Sequence, residues 1–302
     1  MIYKVNADGM KLIKQVDFDL ERHLQRRIES NLSVLFDLRF LATEYPLNKF
    51  RFDTVAFDDE NNSFVIIEYK KGVNESLVDQ GYAYLNTVFD RKSDLVLLYN
   101  RVTNSNKQVE DFDWESVRLY FVSPKFTDYQ KTATGYQGMP FRLFEVNQYE
   151  NDLFVINEIN NSKIKDIPVV ISDDNSINKV SKEIKVYVEE DHLKGLSKKL
   201  ENLYYELRNK INDLGDLEIK PTKTYIAFKY ANKNVCDIEV FKSYLKVFIN
   251  VSKGQLIDTN NRAINISTKG HHGNGDYAFD IKEEKDIEYL LTLIKQSYKI
   301  NS

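Results

Sequence analysis

Apolar residues recur at two spacings along the chain, and the changes between the spacings mark its elements. Residues 3–15 (YKVNADGMKLIKQ) alternate around an Asp-Gly pair, which predicts two short strands and a turn. From 18 to 36, Leu20, Leu24, Ile28, Leu32 and Leu35 recur at helical spacing and predict one amphipathic helix, with Asp17 or Asp19 as its cap. FRFDTVAFDDENNSFVIIEYKKG reads as a hairpin, two β-rich runs about a polar DDENN. ESLVDQGYAYLNTVFD predicts a helix, DLVLLYN a short buried strand, and VRLYFVSP and FRLFEVNQYENDLFVINEI further strands. That order implies a mixed sheet flanked by helices, an α/β core of roughly 160 residues.

The pattern then lapses. Residues 159–182 (INNSKIKDIPVVISDDNSINKVSK) are polar and interrupted, the best linker candidate. Beyond them HLKGLSKKLENLYYELRNKIND places Leu193, Leu196, Leu200, Leu203 and Leu207 on one helical face. KTYIAFKYA, NVCDIEVFK and SYLKVFINV alternate as strands, and DIEYLLTLIKQSY closes the chain as a helix. The expected organisation is a first domain over 1–160, a linker over 161–190 and a smaller α+β domain over 191–302.

Composition narrows the function classes. No apolar run approaches the ~18 residues of a membrane span, and the N-terminus lacks an apolar signal core. One cysteine, Cys236, excludes an intramolecular disulfide framework and any multi-cysteine zinc site, so a reducing cytoplasm is the expected location. The net charge is −4. Residues 1–160 carry 19 basic and 25 acidic groups, the remainder 23 and 21. A nucleic-acid partner would therefore need a local basic surface working against the overall field.

Phe50 to Tyr84 carries the chemistry. Val65, Ile66 and Ile67 form a buried strand run that ends in Glu68-Tyr69-Lys70, and strand alternation sets Glu68 and Lys70 on one face. Asp53 lies on the preceding hairpin strand, where the sheet can bring it beside Glu68. Two adjacent carboxylates repel unless a cation joins them, and Mg²⁺ favours such oxygen ligands while keeping several waters. Lys70 would then stand beside a scissile phosphate. The plainer reading is a salt bridge at a strand end. Gln80 and Tyr84 are four apart on the next helix and share a face, either as a buried tyrosine with an incidental glutamine or aimed at the strand end. On the first helix Glu21 falls within about 20° of Ile28 and Leu32, on the apolar stripe, with Gln25 close by. An acid there is costly unless paired or metal-bound, or else it is a helix-start acid favoured by the dipole. Glu29, about 100° from Ile28, is the second choice.

Asp53, Glu68-Tyr69-Lys70 and Gln80-x-x-x-Tyr84 resemble the PD-(D/E)XK nuclease pattern in its RecB-like form. LQRRIESNL, FLATEY, RFDTVAFDDENNSFVIIEYKKG and DQGYAYL resemble, more closely, a prokaryotic family in which a NucS-like endonuclease domain precedes a C-terminal domain of unknown function sometimes labelled "predicted transport protein". KGHHGNGDYAFDI and DIEYLLTLIKQSY match that second part. The family usually has Gly-Arg-Ile-Asp where this chain has Phe50-Arg51-Phe52-Asp53, a departure that removes a glycine and keeps the acid. The resemblance implies a restriction-endonuclease-like mixed sheet and metal-dependent hydrolysis of DNA, in repair or in defence. It implies Glu21, Asp53 and Glu68 as ligands of Mg²⁺ or Mn²⁺, with the Tyr69 carbonyl as a further ligand. Lys70 would position the attacking water and the phosphate. Gln80 and Tyr84 would hold the site or contact substrate, and Arg51 would reach a phosphate or pair with an acid. DNA is the expected partner, no membrane is, and a homodimer is one option. The competing expectation is a nucleic-acid- or protein-binding module that keeps the fold without turnover.

Other candidates are weaker. His271 and His272 are adjacent in a glycine-rich loop, so one ion rarely takes both, although Asp276 is near. Tyr225, Phe228, Tyr230, Phe241, Tyr244 and Phe248 alternate as strand-core residues would, with base stacking the alternative. Lys11, Lys14, Arg22, Arg26 and Arg27 form either a basic rim or a solvated face. The chain has no phosphate-binding P-loop sequence.

Overall fold

A computed structural model describes residues 1–6, 9–18, 21–70, 77–134, 139–159, 180 and 183–301. The chain divides into two compact units, Met1–Val186 and Tyr187–Ser302. Of the expected linker, 161–179 and 181–182 lie outside the described residues, while Val180 and Ile184 pack into the core of the first unit.

The first unit is built on a seven-stranded mixed sheet. Its strands are β3 (Gln15–Val16), β4 (Arg39–Leu47), β5 (Phe50–Asp58), β6 (Ser63–Tyr69), β7 (Arg118–Ser123), β8 (Phe141–Tyr149) and β9 (Leu153–Glu158). The order is β3-β8-β7-β6-β5-β4, with β9 paired to β8. β6, β7 and β8 run parallel, and β4, β5 and β6 antiparallel. β6 is buried along its whole length because it is central. Phe64 and Ile66 point to one core, and Val65, Ile67 and Tyr69 to the other. The first core takes α3 (Leu77–Asp90) and α4 (Lys92–Thr103); the second takes α1 (Glu21–Glu29) and α2 (Leu32–Leu35). Helices therefore cover both faces, as expected. A separate hairpin, β1 (Ile2–Asn6) with β2 (Gly9–Ile13), forms its own two-stranded sheet.

Three expectations need correction. DLVLLYN is helix α4, not a strand: Leu95, Val96, Leu98 and Tyr99 are buried while Leu97 is 62% exposed, a helical stripe that so short an apolar run does not distinguish from a strand. The single helix over 18–36 is two helices. Ser30 Oγ and Asn31 Nδ2 donate to the Arg26 and Arg27 carbonyls at 2.8 and 2.7 Å, competing with the backbone ladder where α1 ends. Asp19 and Leu20 lie outside the described residues. β4 and the short α5 (Asp128–Thr134) have no counterpart in the sequence reading; β4 carries a bulge near Leu41 and a positive φ at Glu44, which break its alternation.

The second unit is a six-stranded antiparallel sheet with helices on one face. Its strands are β10 (Glu218–Pro221), β11 (Ile226–Tyr230), β12 (Lys233–Val240), β13 (Leu245–Ile249), β14 (Ile264–Asn265) and β15 (Tyr277–Ile281), ordered β10-β11-β12-β13-β15-β14. Its helices are α6 (Glu189–Leu193), α7 (Lys198–Asn212) and α8 (Ile287–Asn301). The helix expected from His192 onward is broken between α6 and α7, where Gly195 takes φ +76°. Leu200, Leu203, Leu207, Leu290 and Ile294 from the long helices pack on Ile226, Phe228, Ile238 and Val247. No helix among the described residues is long and apolar enough to cross a membrane.

Candidate active site

The pairing of β5 with β6 ends at Thr54 and Ile67, while β5 stays paired to β4 as far as Phe50. Asp53 stands where the two strands part. In place of the next ladder bond, its Oδ2 accepts the backbone N–H of Tyr69 at 2.9 Å. Glu68 therefore lies across this gap from Asp53, on the α3 side of the sheet.

Glu68 is 3% exposed. Its Oε1 accepts from Lys70 Nζ at 2.7 Å, Gln80 Nε2 at 2.9 Å and the Tyr84 hydroxyl at 3.4 Å. Gln80 Nε2 also donates to the Tyr84 oxygen at 2.9 Å. Tyr84 is wedged against Phe50 and Phe52, with ring centroids 5.1 and 4.9 Å away. Three donors thus converge on one carboxylate oxygen. The other, Oε2, is buried and has no hydrogen-bond partner among the described residues.

Electrostatics mark the same place. Burial first, then the neighbouring Glu68 charge, pushes the Asp53 carboxyl up to about 7, against the opposing pull of the Tyr69 N–H and Lys70. Burial also raises Glu68, with Lys70, Gln80 and Tyr84 opposing it. Both carboxyls of the pair, Glu68 buried and Asp53 half-buried, are held above their ordinary values with Lys70 beside them, so Lys70 alone does not supply the positive charge that two ionised acids need. A hard divalent cation that keeps its own waters fits this donor set.

The structure joins Asp53, Glu68, Lys70, Gln80 and Tyr84. It does not bring Glu21 to them. Glu21 is exposed in the first turn of α1, and among the described residues no three His, Cys, Asp or Glu side chains are placed to hold one ion. Helical averaging puts Glu21 on the stripe, but in the structure its side chain is exposed while Leu24, Gln25 and Ile28 are the buried residues of α1. Arg51 is exposed and pairs with Glu44, Nε to Oε2 2.5 Å, resolving its two expectations in favour of the acid. Gln25 and Glu29 of α1 hydrogen-bond to β5. Gln25 Nε2 donates to the Asp53 carbonyl at 2.8 Å, and Glu29 Oε1 accepts from Thr54 Oγ1 at 2.6 Å. The sequence holds a signal for Gln25, a polar residue beside an apolar stripe.

Elsewhere, the expected alternatives recede. His271 Nδ1 lies 2.8 Å from the Lys269 carbonyl and its ring stacks on Phe248, whereas His272 Nδ1 lies 3.2 Å from Glu239. Asp276 accepts from the Lys253 backbone. Tyr225, Phe228 and Phe248 are buried and unavailable to bases, while Phe241 and Tyr244 stack on each other. Cys236 is fully buried, and burial raises its thiol well above the usual range, the opposite of an activated nucleophile.

Over 300 residues the chain is 41% identical to an uncharacterized protein of Haemophilus influenzae (strain ATCC 51907 / DSM 11121 / KW20 / Rd), covering 99% of both chains. It belongs to that protein's family. Residues 189–301 match a domain of unknown function, DUF5655, so this domain fills the second unit. Among solved structures, a repair endonuclease from Pyrococcus abyssi is 19% identical with a TM-score of 0.29, over 44% of this chain and 50% of that one. An EndoMS complex with double-stranded DNA is 16% identical with a TM-score of 0.23, over 45% and 50%. The chain thus matches about half the length of these two structures, and likenesses at those scores carry no inference.

Proposed function

We propose that the first unit is a divalent-metal-dependent nuclease that hydrolyses DNA phosphodiesters, serving repair or defence. The observation that carries this reading is the buried Oε2 of Glu68, without a hydrogen-bond partner among the described residues, at the strand parting where Asp53 sits, with Lys70 on the same strand end. A structural salt bridge needs only one acid for Lys70. It does not account for a second carboxylate whose ionisation is suppressed by burial and then by the first. The motif resemblance points to DNA as the substrate.

Asp53 and Glu68 would hold Mg²⁺ or Mn²⁺, with the Tyr69 carbonyl beside them. When bound, the ion supplies an activated water and charge for the phosphate oxygens. Lys70, kept 2.7 Å from Glu68 Oε1, places a fixed cation where negative charge gathers in the transition state. Gln80 and Tyr84 hold Glu68 by Oε1, which leaves Oε2 for the ion. Their role is thus to orient the acid.

The test is cleavage of labelled single-stranded, duplex, branched and mismatched DNA, and of RNA, with Mg²⁺, Mn²⁺ or EDTA, for the wild type and Lys70→Ala. Metal-dependent cutting of DNA that the variant loses supports the reading. Absence of both cutting and metal binding sinks it and leaves the binding module.

A further inference from the structure

Helix α1 brings no acid into the pair, yet two of its polar side chains, the buried Gln25 and the half-buried Glu29, touch Asp53 and Thr54 at the strand parting. Gln25, 7% exposed, has one amide nitrogen within reach of three acceptors: the Asp53 carbonyl at 2.8 Å, Thr43 Oγ1 at 3.1 Å and Glu29 Oε1 at 3.1 Å. Two amide protons therefore span α1, β4 and β5. One turn further, Glu29 Oε1 accepts from Thr54 Oγ1 at 2.6 Å, and Thr54 Oγ1 lies 3.2 Å from the Tyr69 hydroxyl. Asp53 is thereby gripped from two sides, its carbonyl by Gln25 and its carboxylate by the Tyr69 N–H.

Such a bracket has a physical purpose. The ladder that would hold β5 beside β6 has already ended at Thr54. Without a substitute, the backbone at Asp53 is free to separate further from Glu68, driven by the repulsion of the two carboxylates. Burying a glutamine amide between a helix and a sheet is costly unless it is satisfied, and here the half-buried Glu29 carboxylate is one of its acceptors.

We propose that Gln25 is a positioning residue for Asp53, and that Glu29 orients Gln25 and Thr54 without binding metal itself. The metal part of this inference rests on the function proposed above; the positioning part does not. It assigns to α1 the setting of the distance between the two acids.

Two measurements separate these parts. In the metal-free full-length protein, amide hydrogen exchange of Tyr69 reports the bond to Asp53, with the Lys70 amide, bonded to the Val122 carbonyl at 2.9 Å, as internal reference. Gln25→Ala should speed Tyr69 exchange at least about tenfold relative to Lys70, and Glu29→Gln, which keeps an acceptor oxygen, should leave it within about threefold. An unchanged Tyr69 amide in Gln25→Ala, in a protein that keeps its thermal midpoint within a few degrees, overturns the positioning role. If the variant fails to fold, Gln25→Glu serves instead: it keeps the volume but removes the donor, and the same Tyr69 readout decides.

Calorimetric Mn²⁺ binding is the second measurement. Gln25→Ala should weaken binding about tenfold, and Glu29→Gln less than about threefold. Loss of binding in Glu29→Gln as complete as in Asp53→Ala would make Glu29 a ligand and overturn its assigned role. If the wild type binds no Mn²⁺, the nuclease reading fails, and the Tyr69 result still decides the positioning role.

Discussion

Replacing Asp53 with asparagine should stabilise the metal-free protein, and only above a defined pH. In the unfolded chain this carboxyl ionises near its ordinary value of 3.8; in the folded chain it does so at about 7. Between those values the folded state holds the extra proton, so its stability falls as pH rises through the window and is lowest above about 7. Three pH units at ~1.4 kcal/mol each set an upper bound of about 4 kcal/mol. Asp53 keeps partial access to solvent and shares its environment with Glu68, so about half, ~2 kcal/mol, is expected. The substitution costs little otherwise, because an amide oxygen can still accept the Tyr69 N–H. In EDTA at pH 8, Asp53→Asn should raise the first unit's thermal midpoint by roughly 4–8 °C. At pH 4 the two proteins should melt together. A variant less stable than wild type at pH 8, or a difference that does not change between pH 4 and 8, would refute the claim that the acid pair is electrostatically strained.

The helical assignment of DLVLLYN makes a contrast available. Leu95→Ala, at a fully buried site, should cost about 2–5 kcal/mol in chemical denaturation, and Leu97→Ala less than about 0.5; equal costs at both would point to strand alternation instead. Tyr84→Phe removes the hydroxyl shared by Glu68 and Gln80 but keeps the ring against Phe50 and Phe52, so stability should change by about 1 kcal/mol. Under the proposed function, its metal-dependent cleavage rate should fall, and a rate equal to wild type would remove the orienting role. In the second unit Gly275 has φ +87°, and a Cβ there would lie 2.2 Å from the Ile249 carbonyl. Gly275→Ala should therefore destabilise that unit by at least ~2 kcal/mol, read as a lowered midpoint; an unchanged midpoint would mean the loop moves at no cost.

Residue order alone was enough to locate most of what matters. Strand β6 and its Glu68-Tyr69-Lys70 end were legible because a central strand is apolar on both faces, which makes two charges at its end conspicuous. Gln80 and Tyr84 were legible because helical periodicity puts residues four apart on one face. Strands β11 and β13 of the second unit were legible for the same kind of reason, a local period that puts Ile226 and Phe228, and Leu245, Val247 and Ile249, on the face that the helices cover.

What the sequence left open depended on contacts between distant segments. Whether Leu95 to Tyr99 form a helix or a strand depends on which neighbours cover them, and a short apolar run suits both. β4 is bulged, so no clean period betrays it. The role of α1 turned on its rotation against the sheet. That rotation turns Gln25 and Glu29 toward β5 and leaves Glu21 exposed. Composition and periodicity determine which side chains an element can bury. Only packing decides which of them reaches the place where β5 and β6 separate, because that place is made by the end of a hydrogen-bond ladder between strands and by no local pattern.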